Sequence, residues 1–98
     1  MTLEDLIRKY GLPQLMQMTI YFLEHQFDGK TYSDCYDDKQ QALQEAQKQW
    51  HRLPKPEQPL HQIAVWSAAI TGNQIKIKDD DMFEIDFLEQ LWSSDHSR

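Results

Sequence analysis

His25, His51, His61 and His96, the lone Cys35 and the run Asp79-Asp80-Asp81 are the residues whose types could do chemistry. Imidazoles move protons near neutral pH and ligate transition metals. None of the four histidines makes the i, i+4 pair that a helical metal site would use. His25 and His61 lie in separate strand-like segments. They would meet if those strands are neighbours, and with nearby carboxylates they would then form a small-ligand or enzyme site. His51 follows Trp50 at the end of a helical stretch, where a partly charged imidazole suits the helix dipole.

A cysteine becomes a nucleophile when a base or a positive field stabilises its thiolate. Cys35 instead has Asp34, Asp37 and Asp38 around it. Negative neighbours raise a thiol pKa, so a half-buried structural thiol is expected. The three aspartates could offer oxygen ligands to a divalent cation, but the central glycine and terminal glutamate of a calcium loop are missing. They read as a helix cap or a solvated turn. Gly11, Gly29 and Gly72 stand alone, so there is no phosphate loop, and no Gly-x-Ser-x-Gly elbow occurs. The residues therefore predict no catalytic group, no metal site and no cofactor, and the chain is not expected to be an enzyme.

The tyrosines carry more weight. Tyr21, Tyr32 and Tyr36 would share one hairpin. Exposed aromatics anchor protein interfaces or stack on bases. Stacking on nucleic acid would want basic companions, and only Lys30 and Lys39 are near. The three rings are a candidate protein interface, unless they serve to cover the sheet beneath a helix.

The elements that must position these groups follow from the pattern. Leu3, Leu6, Ile7 and Tyr10 fall on one helical face. Thr2 and Asp5 have the spacing of a capping box, and Gly11 and Pro13 end the segment. Residues 15–27 fit either a helix or a strand. Met18, Ile20 and Phe22 alternate with Thr19, Tyr21 and Leu23, as in a strand buried on both faces, and Asp28-Gly29 is a hairpin turn. A strand and hairpin are expected, with Lys30–Tyr36 returning. The clearest element runs from Asp37 to Leu53. Asp37 or Asp38 caps it, Ala42, Leu43, Ala46, Trp50 and Leu53 form its apolar stripe, and Pro54 stops it. Pro54, Pro56 and Pro59 predict a stiff, extended connection.

Residues 62–70 and 75–78 are the next strand candidates, joined by a tight turn at Thr71-Gly72-Asn73. Lys76 and Lys78 suggest a solvated face near a sheet edge. Residues 79–92 are ambiguous. Phe83, Ile85 and Phe87 alternate like a strand, whereas Ile85, Leu88 and Trp92 keep helical spacing. A helix is expected, and residues 93–98 are expected to fray. The resulting order α-β-β-α-β-β-α predicts an α+β fold, a single antiparallel sheet of about four strands with helices packed against it.

The 98 residues fit a single domain. Hydrophobic content of 40% and charged content of 27% are ordinary for globular chains, and 11% aromatic residues argue against disorder. One cysteine permits no internal disulfide and suggests a reducing compartment. The N-terminus has no basic region ahead of an apolar core, and no apolar run approaches the roughly 20 residues that span a bilayer. A cytoplasmic location is expected. A net charge of −6 disfavours direct nucleic-acid binding, because affinity for phosphates comes mainly from Lys and Arg. It also disfavours anionic membranes.

Tyr32, Tyr36 and the Ala-x-x-x-Trp-x-x-Leu pattern (Ala42, Ala46, Trp50, Leu53) resemble a group of small uncharacterised proteins from Gram-positive bacteria and their phages. The resemblance covers roughly residues 20–77, and leaves out the N-terminal helix and the three prolines after Leu53. It implies an α+β fold and a mobile-element setting, and brings no activity and no site residues.

These readings converge on a non-catalytic protein-binding module. Its specific form is a phage or mobile-element accessory or inhibitor protein, whose acidic surface would occupy a basic nucleic-acid channel in its target. The alternatives are a structural homo-oligomer such as a homodimer, or a ligand or enzyme site near His25 and His61.

Overall fold

Thr2 and Asp5 close a reciprocal cap on the first helix, α1 (Leu3–Tyr10). Thr2 N–H donates to Asp5 Oδ2 at 3.0 Å, and Asp5 N–H donates to Thr2 Oγ1 at 3.2 Å. Gly11 ends this helix at φ 79°, a left-handed value that a side chain would resist. Pro13 then starts a second, single-turn helix, α2 (Leu12–Leu15), which suits a residue with no N–H to donate. The computed structural model describes residues 2–75 and 81–97.

Strand β1 (Ile20–Phe27) and strand β2 (Lys30–Tyr36) form the expected hairpin. Asp28 at φ 54° and Gly29 at φ 72° give the turn two positive φ values, which match the right-handed twist of the flanking strands. Helix α3 (Lys39–Arg52) follows, with Asp38 as its cap accepting from Gln40 N–H at 3.0 Å. Asp37 does something else. It accepts from Lys9 Nζ at 2.8 Å and from Tyr10 Oη, tying α1 to the end of β2.

The proline-rich connection is curled rather than extended. Glu57 N–H bonds the Pro54 carbonyl at 2.8 Å, and Gln58–Leu60 is a turn of 3-10 helix. Proline's fixed φ serves a tight turn as readily as an extended segment.

Two long strands complete the sheet, β3 (His61–Ile75) and β4 (Asp81–Ser93). The order is β2-β1-β3-β4, with every neighbour antiparallel. The fold is therefore α+β, built on one open four-stranded antiparallel sheet. Two expected details are corrected. Thr71-Gly72-Asn73 is not a turn but part of β3, where the register shifts at Thr71, and Gly72 and Asn73 pair with Glu84 and Phe83 of β4, while residues 76–78 lie outside the described residues. The segment 81–92, expected to be a helix, is β4.

Bulges explain the second correction. Val65 pairs with Trp92, Trp66 with Gln90, Ser67 with Glu89 and Ala68 with Phe87, so Leu91 and Leu88 are each inserted without a partner. Each extra residue converts a two-residue repeat into a three-residue one. Asp86, Glu89 and Trp92 thus share a sheet face at intervals of three, while Ile85 and Trp92, spaced in the sequence as on one helix face, pack on opposite faces of the sheet. After β4, Ser94–Ser97 forms a 3-10 turn. Ser94 is buried and its Oγ accepts from Ile63 N–H at 3.0 Å.

Both faces of the sheet are used. Helix α3 lies on the face that carries Leu23, Tyr36, Ile63 and Val65, and contributes Ala42, Ala46 and Trp50 to that core. The two alanines let the helix axis approach the strands closely. Helices α1 and α2 cover only one end of the opposite face, where Leu6 and Leu15 pack on Ile20, Phe22, Cys35, Ala68 and Ile70. Among the described residues, no helix covers the rest of that face. No helix among the described residues is long and apolar enough to cross a membrane.

Candidate functional site

His25 is the sixth residue of β1 and His61 the first of β3. In register, His25 stands opposite Ile63 and Phe27 opposite His61, so the histidines are diagonal neighbours on one sheet face. Their rings meet directly, with His25 Nε2 and His61 Nδ1 2.8 Å apart. Phe27 lies flat on His61, with ring centroids 4.1 Å apart and planes only 6° from parallel. His61 is 9% exposed.

Gln49 of α3 completes the arrangement. Its amide donates to Glu45 Oε1 at 3.4 Å, which leaves the Gln49 carbonyl to accept from the His25 ring. Since His25 Nε2 faces His61, the proton given to Gln49 is on Nδ1, and a single proton between His25 Nε2 and His61 Nδ1 serves their hydrogen bond. Burial and the neighbouring His61 both push the His25 pKa below its ordinary value. A groove of about 440 Å³ opens beside this end of the sheet, lined in part by Phe27, Lys30, Leu60 and His61. Among the described residues, no three His, Cys, Asp or Glu side chains gather as a metal site.

The remaining sequence candidates separate. Tyr21 and Tyr36 face each other across β1 and β2 and both join the core beneath α3, Tyr36 at only 8% exposure. Tyr32 is 58% exposed and stands opposite His25. Cys35 is buried under α1, and burial, aided by the Asp34 charge, pushes its thiol up to about 12. That excludes a neutral-pH thiolate. His51 is exposed on α3. Asp79 and Asp80 lie outside the described residues.

A second surface was hidden by reading β4 as a helix. Phe87 sits edge-on to Phe22 and Trp66, at ring separations of 5.5 and 6.0 Å, where the cover of α1 and α2 gives out. It remains 49% exposed, and its neighbour Leu88, a bulge residue, is 59% exposed. Asp86 and Glu89 adjoin them in the chain and are exposed on the α3 face of the same strand. Beside Trp66 a shallow hollow of about 150 Å³ is lined by Glu24, Gln26, Gln62, Gln90 and Asp95.

Charge is segregated over the fold. Every Lys and Arg among the described residues lies on α1, β2, α3 or the loop after α3: Arg8, Lys9, Lys30, Lys39, Lys48, Arg52 and Lys55. Strands β1, β3 and β4 carry none, but bear Glu24, Asp81, Glu84, Asp86 and Glu89.

Comparison with protein-family models, with curated proteins and with solved structures gives no match.

Proposed function

We propose that this protein is a non-catalytic protein-binding module that presents the outer half of its sheet, centred on Phe87 and Leu88, to a basic protein surface. The observation behind this reading is the composition of the β4 edge. Two large apolar side chains are exposed on an edge strand whose α3 face carries the exposed Asp86 and Glu89, and neither this strand nor β1 or β3 has a Lys or Arg. An exposed apolar pair on an acidic edge supplies both an anchor and a charge to a protein interface. The charge sets the partner's chemistry, because an anionic edge attracts a Lys- or Arg-rich surface and repels phosphates. Tyr32 lies on the opposite edge strand and would extend a second, smaller contact.

A partner whose basic surface normally holds nucleic acid would be competed for by such an edge. An accessory or inhibitor protein of a phage or mobile element, acting in the cytoplasm, is the specific form of this proposal. Hydrogen exchange on a complex isolated from nuclease-treated extract of the native host tests it. Slowed exchange at residues 85–90 supports the reading. Slowed exchange confined to α3 or to β2 contradicts it.

Self-association is a second reading with its own observation. Strand β2 pairs with β1 over seven positions without a bulge, so its outer edge is regular, and Lys30 to Ser33 are exposed. Such an edge can pair with a second copy across a two-fold axis. Light scattering that shows a strict monomer at high concentration removes this reading.

A further inference from the structure

We infer that His25 and His61 form a two-histidine site for a borderline divalent transition ion such as Zn²⁺. Three features of the pair carry the inference.

The first is convergence. His25 Nε2 and His61 Nδ1 point at one another across 2.8 Å. Two imidazole nitrogens that each hold zinc at 2.0–2.1 Å in a tetrahedral arrangement stand about 3.3 Å apart. The rings need to open by only about 0.5 Å to admit the ion. Both residues lie at the hairpin end of the sheet, and His25 is only half-buried, so side-chain rotation supplies that movement.

The second is support behind the ligands. A ligating histidine characteristically donates its other ring N–H to a carbonyl or carboxylate, which fixes its tautomer and the direction of its lone pair. Gln49 does this for His25, and is itself held by Glu45. Phe27 fixes the plane of the His61 ring by stacking on it.

The third is ligand type. Metal binding requires a lone pair on each ligating imidazole nitrogen, so the one proton held between the two facing nitrogens leaves them on binding, and each nitrogen gives the ion one lone pair. Imidazole ligands suit zinc, copper and nickel rather than calcium or magnesium. No further His, Cys, Asp or Glu completes a three-residue site among the described residues. The remaining coordination positions therefore go to water or to a donor from a bound partner, reached through the groove beside Phe27 and Leu60.

Isothermal titration of the intact protein with Zn²⁺ at pH 7.5 tests the site, with nitrogen-detected imidazole NMR on the same unmutated sample. One ion per chain is expected, with resonance shifts confined to the ring nitrogens of His25 and His61. His25→Gln or His61→Gln should abolish the binding, Gln49→Leu should weaken it about tenfold, and His51→Gln should leave it unchanged. The NMR readout needs no variant to fold. The absence of saturable binding, or shifts at His51 or His96 instead of the pair, would overturn the inference.

Discussion

His25 Nε2 and His61 Nδ1 are 2.8 Å apart, although 36 positions separate them in the sequence. Their meeting is a consequence of strand order. β1 lies between β2 and β3, and the register that sets Phe27 against His61 brings His25 onto the diagonal. The histidine pair thus joins two strands, and through Gln49 it joins them to α3.

That junction has a measurable cost. Gln49→Leu keeps most of the side-chain volume but removes the acceptor for His25. It should lower unfolding free energy by about 1 kcal/mol, the usual net worth of such a hydrogen bond. Urea denaturation of the variant against the parent measures this. Unchanged stability would mean that the Gln49 link contributes nothing.

Cys35 should resist thiol reagents in the folded protein at pH 8. Burial against α1 and the nearby Asp34 push its thiol up to about 12, so the thiolate fraction is negligible. The thiol should become reactive only when the protein is unfolded in denaturant. Fast labelling of the native state would contradict the packing of α1 over β2.

Asp37 makes stability depend on acid. The Lys9 hydrogen bond first, then that of Tyr10, lower its pKa below the ordinary 3.8. A carboxylate with a depressed folded pKa contributes its full stabilisation above the unfolded value and loses it as pH falls through the folded one. Lys9 is largely exposed, which weakens the ion pair in solvent. The gap in melting temperature between the parent and Asp37→Asn should therefore be modest, constant from pH 7 to about 5, and should close at lower pH. A gap that widens on acidification would contradict this.

Some elements could be read directly from the residues. The helix over Lys39–Arg52 was legible because its cap, its Ala42-Ala46-Trp50 stripe and Pro54 all agree, and local consistency of that kind survives folding. The first hairpin was legible because Asp28-Gly29 permits two successive positive φ values. His25 and His61 were legible as a pair conditional on adjacent strands, which the sheet provides. Strand β4 was not legible. Unpaired Leu88 and Leu91 break its alternation, and a bulge depends on the partner strand, which no local pattern contains. The acidic, apolar edge went unseen with it. Of the three tyrosines singled out, two cover the sheet beneath α3 and Tyr32 alone is largely exposed: all three share one face, and Tyr32 stands near the hairpin end of β2, where burial gives way to exposure.

The central proposal is that the β4 edge binds a basic protein surface. Affinity capture from nuclease-treated extract of the native host, comparing the parent with Asp86→Lys/Glu89→Lys, tests it most directly. Both side chains are exposed, so the exchange should leave the fold and its melting temperature nearly intact. The parent should retain a stoichiometric protein whose capture moderate salt weakens and the charge-reversed variant loses. Equal capture by the two proteins, or capture that survives only when nucleic acid is left in place, would contradict it.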